Sequence, residues 1–210
     1  MAIIYPATVH PTKLELLAAW LPGRAWFRED TTAGLVRVGS YRFDDPAGEV
    51  GIESILVRVG DGPVYQAPLT YRGKPLADAD DFLVGTMEHS VLGQRWIYDA
   101  CGDPVYALAM AAAILAGAGQ AEETWEVDGR RERQKPTVAI ATTVVRHVEA
   151  PAVTAVRHVV DDDPALITAD SVELRVVRRL GGLDAPTGNA LTGTWDGQPT
   201  PVPLAYASLR

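Results

Sequence analysis

One cysteine, three methionines and three phenylalanines are spread over 210 residues. The single thiol, Cys101, excludes an internal disulfide and argues against a structural zinc site. Positive charge is also short. Lys and Arg number 19 against 27 Asp and Glu, a formal net charge of −8. Such a surface repels phosphate backbones and anionic lipid, which argues against nucleic acid and membrane surfaces as partners. Acids and arginines are interspersed, so no acidic tail is implied. The longest apolar run, Tyr106 to Ala118, is about 13 residues, whereas a membrane span needs about 20. Residues 1–10 lack a basic start and a long apolar segment, so no secretory signal is expected and a cytoplasmic location is. Neither GxxxxGK[ST] nor GxGxxG occurs, and no GxSxG elbow is present. His10, His89 and His147 have no ligand-type partner at i+4, and His158 precedes Asp161 to Asp163 where a strand reads into a turn, so neither a metal site nor a cofactor is expected.

The residues that are present point to an α+β protein: a curved antiparallel sheet flanked by helices, then a second antiparallel β-rich unit. Thr12 to Leu21 reads as a helix, with a Thr12–Glu15 capping box and an apolar stripe at Leu14, Leu17, Ala18 and Leu21. Leu35 to Tyr71 reads as a three-strand meander punctuated at 44–48 and 60–63, with Pro68 suggesting an edge or a bulge. Asp78 to Leu92 reads as one or two helical turns and Arg95 to Ala100 as a strand. Asp103-Pro104 opens an Ala-rich helix to about Ala116, apolar nearly all round and so expected to be buried. Residues 121–135 read as a charged, solvated connection. Beyond it, Thr137 to Val148 and Val153 to Val160 read as the arms of a hairpin, with similar strings at 144–148 and 155–159. Such a hairpin would bring His147 opposite His158. Val172 to Leu180 reads as a strand and 181–203 as loop with a short strand near Trp195.

Chemistry-bearing residues concentrate in Gly85 to Tyr106. Glu88-His89-Ser90 are neighbours in sequence and do not face one another, so they form no triad among themselves. Asp99 and Asp103 are separated by a strand-to-helix junction, and Asp103 has a capping role. His158-Val159-Val160-Asp161 looks like part of a kinase catalytic loop, but no Asn follows within reach. No catalytic residue is assigned. The ligand- or partner-binding candidates are Arg24, Trp26, Glu88, His89, Arg95, Trp96, Tyr98 and Asp99. Trp26 or Trp96 would serve either as core or as a platform for a sugar ring.

Three stretches carry a family resemblance: Leu17-Ala18-Ala19-Trp20-Leu21-Pro22 with Arg24-Ala25-Trp26-Phe27, Tyr65 to Tyr71, and Tyr98-Asp99-Ala100-Cys101-Gly102-Asp103-Pro104. They resemble the N-terminal cap region of actinobacterial maltokinases and, more closely, stand-alone cap-like proteins. The resemblance implies a cap-like domain over 1–120, a connection over 121–135 and a unit over 136–210 similar to part of a kinase small lobe. In that unit Val172 to Leu180 looks like the family's strand in which a lysine precedes two arginines, with Arg175 at the lysine's place. The family's catalysis resides in a later lobe, which residues 1–210 do not include. The resemblance therefore implies a non-catalytic scaffold or regulatory protein, docking on a protein partner in glucan or trehalose metabolism or on itself. The alternative is a module binding a carbohydrate or nucleotide.

Overall fold

The structure, a computed structural model, describes residues 2–4, 8–127, 130–133, 135–144, 148–181 and 188–210. Helix α1 spans Lys13–Trp20 and has the expected capping box: Thr12 Oγ1 accepts from Glu15 N at 3.2 Å, and Glu15 accepts from Thr12 N at 2.6 Å. Strands β1 (Ala2–Ile4) and β2 (Val9–His10) precede it. The meander follows as β3 (Leu35–Phe43), β4 (Gly51–Val59) and β5 (Val64–Arg72). Next come β6 (Leu83–His89), β7 (Gly93–Asp99) and helix α2 (Pro104–Leu115). The remaining strands are β8 (Glu123–Val127), β9 (Arg130–Arg133), β10 (Val138–Thr142), β11 (Val156–Val160), β12 (Ala165–Ala169), β13 (Val172–Val176), β14 (Arg179–Leu180), β15 (Ala190–Trp195) and β16 (Gln198–Leu209).

Two antiparallel sheets dominate. One has the order β2-β6-β7-β5-β4-β3, with β14 added alongside β5. The other has the order β10-β15-β16-β13-β12-β11. Between them lies α2, whose Tyr106, Ala107, Met110, Ala111 and Ile114 are buried. Asp103 caps it by accepting from Val105 N at 3.0 Å, and Gly117, at φ +72°, turns the chain after it. One core joins α2 to Tyr41, Phe43, Ile52 and Leu56 of the first sheet and to Ile167, Leu174 and Val176 of the second. The opposite face of the first sheet (Ile55, Val57, Ala67, Leu69, Ile97) packs under α1, Trp26 and Phe27.

Several expectations are corrected. The stretch from Asp78 to Leu92 is not helical beyond the 3-10 turn Asp80–Phe82; Leu83–His89 is strand β6, hairpinned to β7. Leu83, Met87 and Val91 also fit a helical spacing. Pairing with β2 and β7 decides the matter, leaving Met87 buried between exposed Thr86 and Glu88. The expected hairpin over 137–160 does not form. β10 pairs with β15 and β11 with β12, at opposite ends of the second sheet. Residues 145–147 of the repeated string, including His147, lie outside the described residues.

Pro68 sits in neither an edge strand nor a bulge of β5. β5 is interior, and its partner on one side changes from β14, at Val64 and Tyr65, to β7 from Leu69 onward. Gln66 N bonds Arg178 O at 2.7 Å, and Pro68, two residues on, falls in the gap before β7 begins. No donor is needed there. Residues 190–209 are two strands rather than loop with one short strand. Pro199, Pro201 and Pro203 alternate, so their missing N–H groups share one side. β16 is flanked there by β15 alone, because β13 joins only from Ala205. The charged segment contains β8 and β9, which form a hairpin alongside β1.

Gly102, in the turn between β7 and α2, is packed tightly. A Cβ there would lie 2.3 Å from Phe82 Cγ. Gly102→Ala is expected to destabilise the protein by about 1–3 kcal/mol, read from urea unfolding. An unchanged midpoint would mean that the Phe82 ring moves aside freely.

Candidate functional site

A dense cluster of buried polar groups lies where the two sheets meet, around Arg178. This residue occupies the break between β13 and β14. Its N–H donates to Asp163 Oδ1 at 2.8 Å and its C=O accepts from Gln66 N. Its side chain is fully buried, donating from Nη2 to Asp99 Oδ2 at 2.6 Å and lying 3.4 Å from Asp161 Oδ1. The guanidinium covers the Trp26 ring, 4.7 Å from its centroid. Burial disfavours its charge, but Asp99 and then Asp161 more than offset this and raise its pKa.

Each partner is held in turn. Asp99 closes β7 and accepts from Cys101 N at 3.2 Å, which fixes its carboxylate beneath Arg178. Asp161 follows β11; it accepts from Trp26 Nε1 at 2.7 Å and from Arg24 at 3.3 Å. Arg24 lies over Trp20, 5.2 Å from its ring centre, and Trp20 meets Trp26 edge-on at 5.8 Å. Arg178 Nε and Nη1 and the Tyr106 hydroxyl are buried without a protein hydrogen-bond partner. Cys101 is buried beside them, and burial pushes its thiol pKa well up, the opposite of an activated nucleophile.

Two further ion clusters flank α1 and α2. Glu53, 2% exposed, receives Lys13 Nζ and the Tyr71 hydroxyl at 2.9 Å, with Arg42 at 3.5 Å and Arg37 at 3.6 Å. Burial raises its pKa, yet Lys13, Arg42 and Arg37 together hold it down at about 2. Asp103 accepts two bonds from Arg72, both at 2.7 Å, and one from Thr70 Oγ1 at 2.8 Å.

Of the residues singled out from sequence, Arg24, Trp26 and Asp99 come together through Asp161 and Arg178. Trp26 is 2% exposed and offers no open ring face. Tyr98 is buried separately, its hydroxyl accepting from Leu76 N at 3.0 Å. Glu88, His89, Arg95 and Trp96 lie on the β6–β7 hairpin. There His89 Nδ1 accepts from Val91 N at 3.2 Å and Leu92 N at 3.1 Å, and Arg95 donates to Leu92 O at 2.8 Å. Burial, then Arg95 and Lys13, lower the His89 pKa. Asp161, which resembles a catalytic aspartate in sequence, is engaged by the Trp26 indole and two arginines. Arg178 is missed as a site residue. The available signal was an arginine inside an apolar strand string, Val176-Val177-Arg178-Arg179-Leu180.

Among the described residues no group of His, Cys, Asp and Glu is arranged to hold a metal ion. The Arg178 cluster is a set of mutually neutralising contacts joining the two sheets. No curated protein matches the chain. Residues 20–103, from Trp20 at the end of α1 to the Asp103 cap of α2, match the family model of the maltokinase N-terminal cap domain.

Proposed function

We propose that this protein is a non-catalytic, cap-like scaffold that docks on a partner enzyme of glucan or trehalose metabolism. The observation that carries this reading is the commitment of the junction's charges to one another. Arg178 is fully buried against Trp26, Asp99 and Asp161, so the charges between the cap-like region and the β-rich unit serve as a frame. Such a frame fixes the relative position of two surfaces, which is what a docking body requires. The match to a cap domain supports the same reading.

The test uses the purified chain alone and with purified maltokinase or another enzyme of glucan metabolism. Alone, it is expected to give no phosphoryl transfer from Mg-ATP to maltose. With its partner it is expected to sediment as a stoichiometric complex. Turnover of maltose and ATP by the chain alone would refute the proposal.

A further inference from the structure

The second sheet has one face against α2 and one face turned away, and the outward face carries a groove of about 560 Å³. Strand alternation builds it. On β13, Val172, Leu174 and Val176 are buried in the shared core, which turns Glu173 and Arg175 outward. On β16, Ala205 and Ala207 are buried in the shared core, Ser208 is exposed, and Tyr206 is half-buried, packing in part against that core and in part lining the groove. The register sets Arg175 opposite Tyr206 and Glu173 opposite Ser208. Gly188 and Asn189, just before β15, Pro164, before β12, and Ala207 complete the lining.

The chemistry of this groove is specific in kind. Glu173 and Arg175 lie 3.7 Å apart, and their side chains are 33% and 61% exposed. Their charges cancel, so the groove has no surplus cation to meet a phosphate. Together they offer one strong acceptor and one strong donor side by side, the pairing that adjacent hydroxyl groups satisfy. Asn189 adds an amide with both donor and acceptor atoms, and Ser208 a hydroxyl. Tyr206 supplies a flat ring that is neither buried nor fully exposed. A volume of this size suits one or two small rings. We propose that this groove is a binding site for an uncharged polyhydroxylated ring, of the pyranose class. The ring's C–H face lies on Tyr206 and its neighbouring hydroxyls on Glu173 and Arg175. The proposal is independent of the docking role, because none of the residues lining the groove belongs to the Arg178 cluster.

The experiment is an amide chemical-shift titration of the whole chain with D-glucose, maltose and sorbitol, and separately with Mg-ATP and inorganic phosphate. Glucose or maltose is expected to shift amides around 173–175 and 206–208 saturably, with a dissociation constant of about 1–10 mM. Tyr206→Ala should weaken binding about tenfold, equivalent to a modest stacking contact. Glu173→Gln and Arg175→Gln, both at outward positions, should weaken it several-fold while the spectrum stays dispersed, and they serve if Tyr206→Ala does not fold. Sorbitol, without a ring, should bind more weakly than glucose. The proposal is overturned if no sugar gives saturable shifts up to about 100 mM. It is also overturned if the shifts lie elsewhere, if the folded variants bind as tightly as the parent, or if only Mg-ATP or phosphate binds.

Discussion

Replacing Asp99 with alanine is expected to lower the unfolding free energy by about 3–5 kcal/mol, the range for removing one partner of a buried ion pair. The reason is what remains. Arg178 is fully buried, and its shortest charge-assisted bond, 2.6 Å, goes to Asp99. Asp161 lies 3.4 Å away, is itself partly exposed and is shared with Trp26 and Arg24. Without Asp99 the guanidinium keeps its burial and loses its main counter-charge. Arg178→Met in the same background should restore part of the loss, because it removes the stranded cation and keeps an apolar stem against Trp26. Urea unfolding of the two single variants and the double variant gives the coupling. An Asp99→Ala midpoint within about 1 kcal/mol of the parent would show that Asp161 alone balances Arg178.

Acid should unfold the protein largely through Glu53. Its pKa is about 2 in the folded chain against an ordinary 4.5. A depressed folded value means a stabilisation fully present above the unfolded pKa. It shrinks as pH falls below about 4.5 and is gone once pH passes through about 2. The shift corresponds to about 3 kcal/mol. Asp170 acts with the same sign: Thr154 first, with help from Ala155 and Arg157, holds its pKa below the usual carboxylate range. Glu53→Gln should therefore be less stable than the parent at pH 7, because Lys13, Arg37 and Arg42 lose their shared anion. The two proteins should converge as the acid is increased. The check is the urea midpoint of both at a series of pH values; parallel curves would rule out Glu53 as the main acid-sensitive group.

What was legible in the sequence was local. Thr12 with Glu15, and Asp103 with Pro104, mark two helix starts within a few residues, and both are found where those signals place them. The meander was legible because its turns are short and rich in Gly, Asp and Pro. Pairing between distant segments was not. Leu83–His89 fits both a helical and a strand spacing, and only its neighbours β2 and β7 decide between them. The β15–β16 hairpin did carry a signal, Asp196-Gly197 between Trp195 and Gln198, but the prolines of 199–203 obscured it. At the candidate site, Asp99, Trp26 and Arg24 were picked from residue type. Arg178 lies 79 positions from Asp99, and its place in an apolar strand string marks it as unusual without naming the partners that make it the hub.

Helix α2 gives a final consequence. Its buried residues touch strands from both sheets, so neither half of the chain owns it. A fragment ending near residue 120 would leave Met110, Ile114 and their neighbours facing water, and a fragment beginning near 136 would lack the helix that covers the buried face of its sheet. The two halves stand or fall as one melting unit, and a change in either is felt by the other through a shared alanine-rich axle.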